Sequence, residues 1–177
     1  MQINYEYTEK LGKIKWIVLD KTNDSALIIS QEIVENRSYH GVGFNDATWE
    51  KSDIRKYLNS SFYNAFPDRV KSMINDTNVE NLDNSEYGID GGESTVDKIF
   101  LLSIEEANSL FSTNSDRKVY NKKYKYPEAW WLRSPGEYQW EAAVVETGGM
   151  VCSEGHSVGS NDGVRPAMWI HFDDSKD

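Results

Sequence analysis

Three histidines (His40, His156, His171), one cysteine (Cys152) and a run of aromatics and amides after Pro135-Gly136 are the residues whose types could do chemistry. The histidines are scattered and none lies on a ligand-spaced motif, so they do not read as a metal set. Asn161 and Asp162, between Ser160 and Gly163, could offer oxygens. Two residues fall far short of the ~6 to 8 oxygen ligands calcium prefers, and a turn is the simpler reading. A lone cysteine makes no intramolecular disulfide, which permits a reducing compartment. No Gly-x-Ser-x-Gly elbow appears, and Gly91-Gly92-Glu93-Ser94-Thr95 lacks the Gly-Lys-Thr ending of a phosphate loop. No metal and no cofactor are expected.

The aromatic run is more suggestive. Glu137, Tyr138, Gln139 and Trp140 follow Pro135-Gly136 and should stand on a loop, where aromatics with amides bind sugars and peptides. Glu154, His156, Ser160 and Asn161, read as a loop before the last strand, would form the polar surround. The alternative is that Trp140 covers the sheet beside Trp130 and Trp131. Arg133 and Arg165 lie inside apolar strands and read as paired structural cations, Arg165 against a buried carboxylate. Trp131 and Trp169 join them as structural residues.

The elements that must position these groups follow from patterning. Four of the six tryptophans lie within 129–170, where short apolar runs alternate with turn residues, as in an antiparallel sheet. Strands are expected at 130–133, 142–146, 150–153 and 164–170, with Thr147-Gly148-Gly149 a tight turn. Upstream, 14–19 and 26–30 form a hairpin about the turn formers at 21–25, and Ile33 and Val34 continue that sheet. Residues 41–45 read as a glycine loop.

Ser52 caps a helix through about residue 64, with Ile54, Tyr57, Leu58, Ser61 and Phe62 inward. Pro67 and Asp68 start a second short helix carrying Val70, Met73 and Ile74 inward. Residues 75–95 form a polar excursion with one short strand at most, and 96–102 a strand. Ser103-Ile104-Glu105-Glu106 is a capping box opening a third short helix. Residues 112–127 read as a surface loop.

With 38% hydrophobic and 12% aromatic residues, the 177-residue chain can bury a sizeable core, and one domain over 1–177 is expected. The net charge of -10 repels phosphate backbones. The one basic run, Arg117-Lys118 with Lys122, Lys123 and Lys125, interleaves with tyrosines that could hold a single strand, but reads as solvated loop. No nucleic-acid partner is expected. No apolar run approaches membrane length, and residues 1–6 lack a signal peptide's basic start, so a cytoplasmic protein without membrane contact is expected.

The order of pieces carries a resemblance: Ile-Lys-Trp-Ile-Val-Leu-Asp (14–20), Thr-Trp-Glu-Lys-Ser-Asp-Ile-Arg-Lys-Tyr-Leu-Asn (48–59) and Phe-Leu-Leu-Ser-Ile-Glu-Glu-Ala (100–107). Ala-Trp-Trp-Leu-Arg-Ser-Pro-Gly (129–136) and Gly-Val-Arg-Pro-Ala-Met-Trp-Ile (163–170) close it. Together these resemble a bacterial domain-of-unknown-function family, frequent in gut Firmicutes. Its end resembles the C-type-lectin-like fold of formylglycine-generating enzymes. The resemblance implies an α+β fold: a twisted antiparallel sheet in which first and last strands pair, two or three short flanking helices, long loops, and a binding face before the last strand. It brings no family-wide activity. Cys152 alone cannot supply the cysteine pair a formylglycine-generating oxidase uses for copper, the histidines lack the clustering of sulfoxide synthases, and the Glu-Pro-Asn and Gln-Pro-Asp tripeptides of calcium-dependent lectins are absent.

The sequence therefore reads as a non-enzymatic binding domain for a protein or glycan, using the face built from 134–162. The alternative is an oxidase or hydrolase of the same superfamily whose site does not show as a motif.

Overall fold

The computed structural model describes residues 2–3, 13–41, 47–121 and 123–172. Most of the loop expected at 41–45 lies outside them. In chain order the first strands are β1 (Gln2–Ile3), β2 (Trp16–Lys21) and β3 (Ser25–Ser30). The turn between β2 and β3 is closed by Thr22, whose amide donates to the Ser25 carbonyl at 2.9 Å and whose hydroxyl donates to Asp24 at 2.8 Å. Residues 26–30 are all buried, so β3 needs a neighbour on each edge. It has β2 on one side and the last strand, β13 (Ala167–His171), on the other, in the register Ala167↔Ile29 through His171↔Ser25. The sheet order is β1-β2-β3-β13. The last strand thus pairs with the second strand of the first hairpin and not with the first, because β2, ending in the exposed Asp20 and Lys21, is flanked by β1.

Ile33 and Val34 do not continue this sheet. The Val34 amide donates to the Val164 carbonyl at 3.0 Å, and the chain crosses into a second sheet through β4 (Glu35–Arg37). That sheet also contains β9 (Trp130–Pro135), β10 (Glu141–Val145), β11 (Val151–Ser157) and β12 (Asp162–Val164), in the order β11-β10-β9-β12-β4. The single strand expected over 164–170 is divided: β12 belongs to the second sheet and β13 to the first, with Arg165-Pro166 between them. Proline has no amide hydrogen for a ladder, so the strand breaks where Pro166 stands. Its carbonyl still accepts from the Ser30 amide at 3.0 Å. Gly163 lets this crossing pack closely, since a Cβ there would lie 2.4 Å from the end of the Ile33 side chain. At the β10–β11 turn, Gly149 takes φ +84°, and a Cβ on it would meet the Asn114 carbonyl oxygen at 1.8 Å.

Strand β11 runs four residues past the expected end at 153. Its ladder pairs Ala142↔His156 and Glu141↔Ser157 after an irregularity between Ala142 and Val144. Glu154 and His156 therefore lie on a strand and not on a loop. Polar residues there gave no alternating pattern, and the backbone ladder carries the strand instead.

Ser52 caps α1 (Asp53–Tyr57), accepting from the Arg55 amide at 3.2 Å, and the helix widens into a π turn over Leu58–Phe62. The buried stripe is Ile54, Leu58 and Phe62. Ser61, expected inward, is exposed because the π turn's extra residue rotates it out of the stripe. Asp97, on the strand described next, anchors α1: it is buried and accepts from Trp49 Nε1 at 2.9 Å, Arg55 Nε at 2.7 Å and Thr95 Oγ1 at 2.6 Å. Helix α2 (Asp68–Lys71) follows Pro67, burying Val70 and Ile74 and half-burying Met73.

In the polar excursion, β5 (Thr77–Val79) pairs with β6 (Thr95–Asp97), so it forms an arm of two strands. The strand expected over 96–102 is only begun by β6. Residues 99–102 are buried without a ladder, because Asn59 holds the Lys98 and Ile99 amides at 2.8 and 3.1 Å and Phe100 exchanges two hydrogen bonds with Ala167. Helix α3 (Ile104–Ser109) opens on the capping box, with Glu106 N to Ser103 Oγ at 3.1 Å and Ser103 N to Glu106 Oε2 at 2.9 Å.

The segment read as a surface loop holds α4 (Asn114–Arg117) and a small ladder of β7 (Val119–Tyr120) with β8 (Pro127–Glu128). Its start is a capping box made by Thr113 and Asp116, an aspartate where glutamate or glutamine is usual. Among the described residues the result is a mixed α+β fold of several sheets and four short helices, without a closed barrel. Buried side chains form one contiguous cluster that includes Trp16, Trp49, Trp130 and Trp131.

Candidate functional site

Strand β9 places two kinds of residue. Trp130 and Trp131 point into the core, with Trp131 Nε1 donating to the Arg37 carbonyl at 2.8 Å. Arg133 is buried among acceptors: Glu106 takes Nη1 at 2.5 Å and Nη2 at 3.0 Å, Leu101 O takes Nη1 at 2.8 Å, and Glu80 O takes Nη2 at 3.0 Å and Nε at 3.4 Å. All five guanidinium donors are engaged, which leaves none for a ligand. A cleft of about 350 Å³ beside it is lined by Glu80, Phe100, Glu105 and the half-buried Trp169, among others.

Arg165 is different from the expectation. Among the described residues no carboxylate pairs with it. Nε donates to Ser30 O at 2.8 Å, Nη1 reaches Arg117 O at 3.5 Å, and the guanidinium lies 4.9 Å from the Trp130 ring centroid and 5.4 Å from that of Phe111. Burial pushes its pKa down to about 9. Ring faces and carbonyl dipoles do the work a carboxylate was expected to do.

Beyond β9 the backbone turns sharply over 136–140. Gly136 N donates to Glu141 O at 2.9 Å, and Glu141 N to Tyr138 O at 2.9 Å. The loop is pinned to β11 and the residue that follows it by Glu137 N to Glu154 O at 2.7 Å and Val158 N to Trp140 O at 2.9 Å. With its backbone engaged, the loop turns Tyr138 and Trp140 outward, 44% and 43% exposed. Their rings stack on each other, centroids 4.7 Å apart and planes 2° from parallel. Trp140 is thus far more open than Trp130 and Trp131, which are fully buried.

A second loop, not foreseen as part of this face, packs against the first. Asn84 is buried and directs its amide at the carbonyls of Pro135 at 2.9 Å, Gly136 at 3.2 Å and Ser153 at 2.9 Å. Ser153 Oγ bonds to the Glu86 carboxylate, and Gln139 Nε2 reaches Asp90 O at 3.4 Å. Tyr87 stands beside them. Desolvation, then the fields of Glu86, Glu154 and Glu137, raise its pKa. Tyr138 is raised as well, first by the charge of Glu137 and its hydrogen bond.

The other expected site residues are placed apart from this cluster. His156 on β11 lies between two carboxylates, Nδ1 2.8 Å from Asp162 Oδ2 and Nε2 3.1 Å from Glu146 Oε1, with its ring edge toward Trp131. Burial lowers its pKa, but Asp162 and Glu146 outweigh that and raise it. Both ring nitrogens are occupied, so His156 does not orient a ligand as it stands. Ser160 closes a turn to Ser157 O at 2.8 Å, and Asn161 O accepts from Asn36 on β4 at 3.3 Å, four strands from β11. The thiol of Cys152 is half-buried, and burial raises its pKa.

Among the described residues no group of three or more His, Cys, Asp and Glu side chains is placed to hold a metal ion. No helix among them is long and apolar enough to cross a membrane.

The fold and this face define a mixed α+β domain with an aromatic loop surface. The chain belongs to the family described as Domain of unknown function (DUF6273), whose model matches residues 23–172. No curated protein and no solved structure matches it.

Proposed function

We propose that this domain is a non-enzymatic binding module that holds a protein or glycan ligand on the face carrying Tyr138 and Trp140. The observation that carries this reading is the stacked, exposed aromatic pair on a loop whose backbone is fixed to β11. Natural surfaces leave few large aromatics exposed side by side, and ordered aromatic anchors lose little freedom on binding. Glu137, Gln139 and Glu154 supply the adjoining polar groups. The C-type-lectin-like reading of the fold belongs to the same proposal. It is supported by the last strand returning beside the first hairpin and by a loop-bearing face that precedes it.

The test is the double substitution Tyr138→Ala/Trp140→Ala, assayed by pull-down and glycan array beside a melting curve. Each ring should contribute about 2 kcal/mol or more to binding. The expected result is a folded protein that captures nothing the wild type captures. A double variant that melts far below wild type would make the pair a stability element. One that folds and still captures the same partner would put the face elsewhere.

A further inference from the structure

The charge of this chain is segregated. Between Glu80 and Asp97, and again from Ser134 to Val164, there is no lysine or arginine, although the chain has 19. These two stretches hold eleven of the 29 acidic residues, so the rest of the chain, with 18, is close to neutral. The fold then brings the two stretches together, through Asn84 at Pro135, Gly136 and Ser153, and through Gln139 at Asp90. The joined stretches also carry Tyr138 and Trp140, both exposed, and the half-buried Tyr87 with Glu86, Glu137 and Glu154 near it.

Elsewhere two exposed tyrosines, Tyr120 and Tyr124, lie under the molecule's own cations. Lys118 lies 5.6 Å from the Tyr120 ring centroid and Lys123 4.7 Å from that of Tyr124. Among the described residues no cation lies over Tyr138 or Trp140, and Glu86, Glu137, Glu141 and Glu154 have no ion-pair partner. An aromatic face with carboxylates around it and no internal cation is complementary to a cation supplied from outside.

We propose that the occupant of this face is a basic segment of another protein, with arginine or lysine side chains laid over Tyr138 and Trp140 and paired with Glu137 and Glu154. This rests on the binding role proposed above and chooses protein over glycan. Arginine suits the site better than lysine, because its planar guanidinium stacks on a ring while its edge reaches a carboxylate.

The experiment is fluorescence anisotropy with labelled hexa-arginine, hexalysine, hexaglutamate and neutral Gly-Ser peptides at low and high salt, with a neutral glycan array run in parallel. Hexa-arginine should bind, hexaglutamate and Gly-Ser should not, and added salt should weaken binding as it screens the pairs. Tyr138→Ala/Trp140→Ala should weaken hexa-arginine binding by about tenfold or more. Glu137→Gln/Glu154→Gln should weaken it by a similar factor and flatten the salt dependence. Asp20→Asn, on β2 of the other sheet, should change nothing.

Basic-peptide binding that ignores the aromatic substitutions would be unspecific attraction to an acidic protein and would overturn the inference. A neutral glycan captured through Tyr138 and Trp140, with no basic peptide bound, would overturn the cationic occupant and leave the binding face standing. A wild-type protein that binds neither basic peptide nor neutral glycan through Tyr138 and Trp140 would overturn both.

Discussion

Arg165 offers the sharpest test of how this fold is held, because it is a buried cation with no carboxylate partner among the described residues. It remains protonated at pH 7 with a pKa near 9, so the fold carries the cost of desolvating a charge. Against that stand one good hydrogen bond, to Ser30 O at 2.8 Å, and two aromatic faces, Trp130 and Phe111. A hydrogen bond from a charged donor contributes about 1.5–3 kcal/mol. Cation–π contacts add about 2 kcal/mol when desolvated. Arg165→Met removes these gains and the desolvation cost together while keeping most of the volume, and it strands no opposite charge. Such replacements run from neutral to stabilising, so we expect a change of no more than about 2 kcal/mol. Arg165→Ala differs because it empties the space between the rings. Large-to-small changes in a packed core cost about 2–5 kcal/mol. Urea denaturation of both variants reads the difference directly, and for a chain of this size each kcal/mol moves Tm by about 2–4 °C. A hidden carboxylate partner would make Arg165→Met lose about 3–5 kcal/mol, as much as alanine. Equal damage from Met and Ala would therefore refute the account.

Other expectations concern single elements. Arg133→Met should lose about 3–5 kcal/mol because it leaves Glu106 partly buried without its fork, and a cycle with Glu106→Gln should show coupling, read from urea midpoints. The folded pKa of His156 lies above its ordinary 6.5, so its stabilisation is present in full below 6.5 and fades as pH rises through the folded value. The stability difference between wild type and His156→Asn should thus shrink on going from pH 5 to pH 9, and an NMR titration should place the imidazole above about 6.5. A difference that grows with pH would mean the ring is held neutral. Gly149→Ala should cost more than the ~1–2 kcal/mol of a left-handed residue, since its Cβ would also meet Asn114 O, and a thermal melt will show whether the β10–β11 turn tolerates it.

What could be read from the sequence was local. The hairpin around residues 21–25, the Ser52 cap, the Ser103 capping box and the Thr147-Gly148-Gly149 turn are each written in a few adjacent residues, and each forms. The Pro135-Gly136 pair likewise signalled that Tyr138 and Trp140 leave the strand. What was not legible depends on distant partners. Residues 99–102 look like a strand by composition, but their hydrogen bonds go to Asn59 and Ala167. Asp97 gave no sign of being buried, because Trp49 and Arg55, which satisfy it, lie more than 40 positions earlier. Half of the candidate face was missed for the same reason: Asn84 and Tyr87 reach it through contacts with 135–136 and 153–154. The absence of lysine and arginine from both stretches was the one signal that could have joined them.

The passage of the chain through Arg165-Pro166 has a consequence for how the protein is made. Strand β3, apolar on both faces, keeps one edge open until β13 arrives, and Ile29 must wait for Ala167 to be synthesised. The second sheet has the same dependence, since β4 closes only on β12. Both sheets are therefore finished by one short late segment, and pairings of such long sequence separation are slow to find. During that interval β3 is an exposed apolar edge able to pair with another nascent chain, which makes chaperone demand and low-temperature expression the practical variables for producing this domain.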